Sequence, residues 1–235
     1  MPDSFTFGTV TSSSLNVYIS GSGIYTAPER EYEFITVPGR DGELLGPSKR
    51  LQNVSIKYPC FFSRSLVDKA KELKSKLLAV VGYANLSDTY DTTHFRKAVY
   101  VGGTQFKPTQ NLEAAEFELM FSCKPQKWLN TGTQKTTLTV NGSISNPTLF
   151  ASQPLITVTG YGEIYIGSKL ITIANVFTDI TIDCEMGDCY HGTENGNAVV
   201  QLQGNEFPTL APGTTNISFD NTITKVEITP RWFEL

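Results

Sequence analysis

Glu113-Ala-Ala-Glu-Phe-Glu-Leu-Met-Phe-Ser-Cys-Lys124, followed after Pro125-Gln126 by Lys127-Trp-Leu-Asn-Thr-Gly132, is the stretch on which the fold turns. Phe117, Leu119, Phe121 and Cys123 fall on one side of an extended chain, and Glu116, Glu118, Ser122 and Lys124 on the other. That period of two is the signature of a strand with one face in a core and one in water. Lys127 to Gly132 then reads as a crossing between two parts of the chain.

Upstream, the same alternation predicts strands over 6–10, 15–19, 32–37, 43–45, 54–62 and 96–101. Downstream it predicts them over 135–140, 155–159, 163–166, 169–173, 179–183, 199–202, 215–219 and 224–229. Thr, Val, Ile, Tyr and Phe dominate these runs, as pleated, half-buried surfaces favour. Pro38-Gly39-Arg40-Asp41-Gly42 and Asn141-Gly142 supply turn chemistry, the first as a tight hairpin turn through Asp-Gly. Short, regularly punctuated strands predict a β-sandwich for the second part.

One segment breaks the pattern. From Arg64 to Val81, Leu66, Ala70, Leu73 and Leu77 recur at helical spacing, with Val67, Leu78 and Val81 widening the stripe. Ser65 suits an N-cap, Asp68 the first turn and Gly82 the stop, so a helix is expected over 65–81. Lys69, Lys71, Lys74 and Lys76 fall mostly on the opposite face. Asp68 and Glu72 interrupt them, which favours a solvated face over a phosphate-binding patch. The expected fold class is therefore mainly β with one amphipathic helix, in a β-rich domain over 1–130 and a β-sandwich domain over 131–235.

The 235 residues carry 19 basic and 23 acidic side chains, a net charge of −4, with 18% charged and 40% hydrophobic residues. Such a chain can fill a core and is no disordered polymer. Residues 1–130 hold 15 basic and 13 acidic side chains, and the remainder hold 4 and 10, so the parts carry +2 and −6. The acidic total argues against a general nucleic-acid or anionic-membrane binder. No stretch approaches the ~20 apolar residues of a membrane span. Met1-Pro2-Asp3-Ser4 has no basic start and no apolar run after it, so synthesis in a cytosol without secretion is expected.

Chemistry-bearing residues are sparse. With two histidines, His94 and His191, no nucleophile–base–orienter set is legible. Asp183 and Glu185 share a strand face, as do Glu116 and Glu118, the solvent side of a strand more often than a glycosidase pair. Gly39-Arg40-Asp41-Gly42 lacks the ending of a P-loop. Cys184, Cys189 and His191 offer three soft ligands where a structural zinc needs four, and their spacing fits no common knuckle. Cys123 and Cys184 follow core-facing parity. Tyr161, Tyr165, Tyr190 and Trp232 are candidate sugar-stacking platforms, core or interface residues otherwise. No enzyme, no cofactor and no metal site is expected.

Several motifs, in order, carry a family resemblance over nearly the whole chain. They are Val37-Pro-Gly-Arg-Asp-Gly-Glu-Leu-Leu45, the helix from Leu66 to Val81, Leu86-Ser-Asp-Thr-Tyr-Asp91 with Phe95-Arg-Lys-Ala98, and Phe121-Ser-Cys-Lys-Pro125 with Trp128-Leu129. Asn146-Pro-Thr148, the run from Gly160 to Ile166, Ile182-Asp-Cys-Glu185, Phe207-Pro-Thr-Leu-Ala-Pro-Gly213 and Val226-Glu-Ile-Thr-Pro-Arg-Trp232 complete the set. The chain resembles the distal tail proteins of long, non-contractile-tailed bacteriophages. The resemblance implies an N-terminal ring-forming domain, a galectin-like C-terminal sandwich and a homo-hexameric ring continuous with the tail tube, in the virion after assembly in the host bacterial cytoplasm. It implies tail-tube protein on one side, the tail-associated hub protein on the other, receptor-binding protein at the periphery in some phages, and DNA only in transit. The long insertion of larger members is missing from the second domain, which counts against a built-in receptor-binding arm. A hairpin through Arg40, Asp41 and Gly42 is the candidate ring contact. The competing reading is a carbohydrate-binding sandwich for host cell-wall sugar, against which stands a second domain with only Arg231 and His191 of their types.

Overall fold

The computed structural model describes residues 2–21, 23, 25–47, 50–62, 66–108 and 115–235. It divides into two compact units, residues 1–127 and 128–234. The chain is mainly β with one α-helix among the described residues. No helix among them is long and apolar enough to cross a membrane.

In the first unit the strands are β1 (Phe5–Phe7), β2 (Val10–Thr11), β3 (Val17–Ile19), β4 (Phe34–Thr36), β5 (Glu43–Leu45) and β6 (Val54–Phe62). Helix α1 (Leu66–Ala79) follows, then β7 (Ala84–Asp88), β8 (His94–Tyr100), β9 (Lys107–Pro108) and β10 (Ala115–Cys123). The main sheet runs β2-β1-β7-β8-β10-β6-β3, all antiparallel where paired. β10 is central, and Phe117, Leu119, Phe121 and Cys123 are buried as its alternation predicts. Glu113 and Ala114, the expected start of that strand, lie outside the described residues.

The sheet curls. β1 and β6 are four strands apart in the order, about 19 Å along a flat sheet. Yet the rings of Phe5 and Tyr58 stack at 5.5 Å, and Phe7 lies 5.1 Å from Phe121. One core therefore gathers side chains from both ends of the sheet, with Leu73 and Leu77 of α1 packed into it. Pro59 sits inside β6, where it removes a backbone donor. Its carbonyl accepts from the Ser20 N–H at 2.9 Å, beyond the end of the short strand β3, so the missing N–H is on a side with no ladder left to interrupt.

The helix differs in detail from its sequence expectation. Leu73 and Leu77 are buried and Ala70 and Val80 half-buried against the core, whereas Leu78 and Val81 are exposed. Leu78 is about 100° around the axis from Leu77, outside a stripe this narrow, and Val81 lies past the helix end. Arg64 and the expected cap Ser65 fall outside the described residues, as do the side chains of Leu66 and Val67. Gly82 takes φ +81° just beyond the helix, the left-handed stop its type allows. Glu72 bridges Lys69 at 3.1 Å and Lys76 at 2.9 Å, which makes the lysine face a solvated ion-pair surface.

In the second unit, β11 (Lys127–Leu129) begins at the boundary. It is followed by β12 (Thr136–Leu138), β13 (Gly142–Asn146), β14 (Leu155–Gly160), β15 (Gly162–Ile166) and β16 (Lys169–Ile173). Then come β17 (Asp179–Asp183), β18 (Asp188–His191), β19 (Glu194–Asn195), β20 (Val200–Leu202), β21 (Gly213–Phe219), β22 (Ile223–Thr229) and β23 (Phe233–Glu234). One sheet runs β12-β22-β14-β17-β18-β19 and another β13-β21-β15-β16-β20. Inward residues of the first, such as Ile156, Ile182 and Ile228, meet Ile164, Ile171 and Ile217 of the second in a single core. This is a β-sandwich, and each such isoleucine contributes about 1.5–3 kcal/mol by leaving water.

Polar ties close the ends of the sandwich. The Asn146 amide donates to the Phe150 and Leu210 carbonyls, each at 2.9 Å, and the Ser152 hydroxyl donates to the Pro230 carbonyl at 2.6 Å. Trp232 is buried in the core, which removes it from the candidate sugar platforms. A Cβ on Gly132 would lie 2.4 Å from the Trp232 backbone nitrogen, so only glycine fits beneath that tryptophan.

Candidate interaction surfaces

The β4–β5 hairpin is a separate two-stranded sheet, pairing Phe34 with Leu45, Ile35 with Leu44 and Thr36 with Glu43. Its turn is built differently from the Asp-Gly turn expected. Pro38 and Gly39 occupy the central positions, Gly39 has φ +81°, and the Arg40 N–H donates to the Val37 carbonyl at 3.2 Å. Proline at the second position and a left-handed glycine at the third are the chemistry of a type II turn. Arg40, Asp41 and Gly42 then lead into β5, all three exposed, and Gly42 also has a positive φ of +75°. The hairpin's base is extended by an Arg30–Leu51 bridge, a Gly46 N–H bond to the Glu33 carbonyl at 2.7 Å and an Arg50–Glu31 ion pair at 3.0 Å.

Every residue of both strands is exposed. Phe34 and Leu45 are 61% and 60% exposed although they are large apolar residues paired across the hairpin, and Tyr32 packs its ring 6.0 Å from Phe34. A lone two-stranded hairpin is marginal in water, and its exposed apolar side chains make this face a candidate interaction surface.

A polar pocket in the first unit collects Tyr58, Asp88, Asp91, His94, Arg96 and Lys127. The Tyr58 hydroxyl donates to Asp88 at 2.6 Å, and burial beside that carboxylate drives the phenol above its usual range. Asp91 accepts from Lys127, from the Thr93 hydroxyl at 2.6 Å and from the Thr93 N–H at 3.0 Å, and contacts His94 at 2.9 Å. Burial alone would raise its pKa, but these bonds hold it well below the usual carboxylate range. The carboxylate is held by structural partners as a fixed negative charge.

The thiols are equally closed. Cys60, Cys123, Cys184 and Cys189 are free and buried, and burial pushes the first three up to about 12 and Cys189 to about 11. The His191 ring stacks on Phe177 at 5.0 Å, with Nδ1 2.9 Å from the Asp179 carbonyl. Among the described residues no three His, Cys, Asp or Glu side chains converge as a metal site would require.

Asp183 was expected on the solvent side of its strand. It is buried, because β17 ends there and Arg231 closes over it with two bonds of 2.6 and 2.9 Å. Its Oδ1 also accepts the N–H groups of Glu185 and Met186. The Arg231 bonds lower the carboxyl pKa against the opposing effect of burial. Arg231 itself takes φ +56°, a conformation that non-glycine residues adopt rarely. The guanidinium is held in the fold by its two bonds to Asp183. Tyr161 and Tyr165 remain as half-exposed aromatics of the sandwich.

No protein-family model and no curated protein matches the chain. Solved structures do. The SPP1 Dit protein, presented as a paradigm of the hub adsorption apparatus in phages that infect Gram-positive bacteria, superposes with a TM-score of 0.74 at 13% identity, over 97% of this chain and 98% of that one. A chain of the phage p2 baseplate, in its activated conformation with strontium, gives a TM-score of 0.51 at 9% identity over 97% of each chain. The chain shares the β-rich fold of these phage tail proteins from end to end.

Proposed function

We propose that the chain is a distal tail protein, a non-enzymatic structural component of the virion at the tip of a long, non-contractile phage tail. The observation that carries this is the superposition on a phage hub adsorption protein, which covers 97% of this chain and so spans both units. In this reading the first units form a hexameric ring around a channel that continues the tail tube and passes DNA in transit. Tail-tube protein binds one side of the ring, the tail-associated hub protein the other, and host-attachment components dock at its periphery. The saturated carboxylates and protonated thiols support a structural role, since a static adaptor needs its polar groups committed to rigidity.

The hairpin through Arg40, Asp41 and Gly42 is the proposed ring contact. A closed ring needs two different complementary patches on each subunit, and a projecting ribbon reaches a neighbour more readily than a flat face does. Native mass measurement of the full chain is expected to give a hexamer of 25.9 kDa subunits. Reversing both charges, Arg40→Glu with Asp41→Lys, is expected to give monomers by light scattering. Rings that persist in that variant would remove the turn from the contact.

A further inference from the structure

We infer that the polar pocket of the first unit binds one uncharged sugar ring, held between Arg96, Asp88 and Tyr90. The site is apart from the tyrosines of the sandwich and does not depend on the ring reading. Arg96 pairs with Leu86 across β7 and β8, and cross-strand partners share a face, so Arg96 points with Leu86 toward the core. Asp88 and His94, two residues along the same strands, share that face by alternation. Charged side chains turned inward beside the buried Tyr58 make a polar chamber of about 180 Å³ at the end of an apolar core. The mouth of a curled sheet is a common place for a ligand.

The chamber's hydrogen bonding is incomplete in a specific way. Asp91 is fully used by Lys127, Thr93 and His94. Asp88 is not: one oxygen accepts from the Tyr58 hydroxyl at 2.6 Å and the other from the Asp91 N–H at 3.1 Å. Those are half of the roughly four bonds that a carboxylate can accept. Arg96 is further from completion. Among the described residues its guanidinium makes one hydrogen bond, at 3.4 Å to the Pro125 carbonyl, and no carboxylate lies within ion-pair distance of it. The Tyr90 hydroxyl oxygen is buried and has no partner among those residues. Burial, then Asp3 and Asp88, push the Tyr90 phenol up, so it stands near the same half-used carboxylate. Spare donors and spare acceptors in one enclosed space call for a guest that brings both.

Charge and size narrow the guest. The formal charges already balance, Arg96 and Lys127 against Asp88 and Asp91, so an ionic guest would add a charge that nothing offsets. The guest is therefore neutral; it accepts from Arg96 and donates to Asp88. A hydroxyl does both, and a sugar carries several on one rigid ring. The volume is that of about six water molecules, which suits one ring and not a chain. Tyr25 supplies an aromatic surface at the rim. Its ring is 92% exposed and lies against Gly23, where a Cβ would come within 3.2 Å of it.

The test is saturation-transfer NMR on the full chain. Glucose, galactose and N-acetylglucosamine are the neutral probes, glucuronate and glucosamine the charged ones. At least one neutral sugar is expected to receive saturation, and its charged relatives to compete for it at least about tenfold more weakly. Tyr90→Phe removes a hydroxyl that bonds nothing in the chain, so it should unfold in urea as wild type does while binding the sugar about five- to tenfold more weakly. Arg96→Lys keeps the charge but loses the fork, and should weaken binding by about tenfold or more. Leu149→Ala, exposed in the second unit, is the control and should bind as wild type. Maltotriose and chitotriose separate the two sources of such a ring. Saturation confined to one terminal ring assigns the site to a glycan end, and binding of monosaccharides alone assigns it to a free sugar. A chain that saturates no neutral sugar, or binds the charged ones equally well, would overturn the inference. So would undiminished binding in Tyr90→Phe and Arg96→Lys, or a loss that follows Tyr165→Ala in their place.

Discussion

Asp183→Asn isolates the charge of the most enclosed ion pair in the sandwich while keeping its shape. The Asp183 side chain is 6% exposed and that of Arg231 23%, and two bonds of 2.6 and 2.9 Å join them. Removing one partner from a buried pair costs about 3–5 kcal/mol, since the remaining charge is left without compensation. Asparagine keeps an oxygen for the Glu185 and Met186 N–H groups, so the expected loss is at the low end, about 3 kcal/mol. For a unit of about 100 residues that is a fall of roughly 10–15 °C in Tm. The chain has two tryptophans, Trp128 and Trp232, both buried, and Trp232 lies in the sandwich core, so the fluorescence of a Trp128→Phe background in a urea titration reports the second unit. The pH dependence has a definite sign. Asp183 has a folded pKa below its unfolded value of about 3.9, so its stabilisation is present above that value and is lost as pH falls through the folded one. The gap between wild type and Asp183→Asn should therefore hold at neutral pH and shrink below about pH 4. A variant within about 1 kcal/mol of wild type at pH 7, or a gap that persists undiminished into strong acid, would refute a buried and stabilising pair.

Leu77→Ala is expected to destabilise the first unit by about 2–5 kcal/mol, and Leu78→Ala, one residue along, to stay within about 0.5 kcal/mol, both read by circular dichroism in urea. Gly132→Ala drives a methyl against the Trp232 backbone and should cost about 2 kcal/mol or more in the tryptophan-monitored transition. A thiol reagent at pH 8 should find no reactive cysteine in the native chain and four after unfolding, because burial keeps all four protonated and covered.

What was legible in the sequence was whatever rests on local periodicity. β6, β16 and β17 run over the predicted residues because each alternates cleanly and ends in a change of pattern. β7 was not predicted. Ala84-Asn-Leu-Ser-Asp88 buries only Leu86, and it is a strand because β1 and β8 pair with it from either side. β18 was missed for the same reason, held by β17 and β19. The hairpin tip was found from its turn residues, but the exposure of Phe34 and Leu45 was not, because period two looks alike whether the apolar face meets a core or water. The Asp183–Arg231 pair joins residues 48 apart in sequence, and no local pattern announces a partner at that distance.

The hairpin's detachment from the core has a kinetic side. An element that buries almost nothing against its own chain opens at a free energy near zero, far below that of β10 or β17, so its backbone amides should exchange with solvent as fast as those of a fraying terminus. Whatever covers it supplies its protection, by mass action. For residues 34–45, order is then a function of concentration as much as of sequence. In the proposed ring, the last step of folding and the first step of assembly would be the same event.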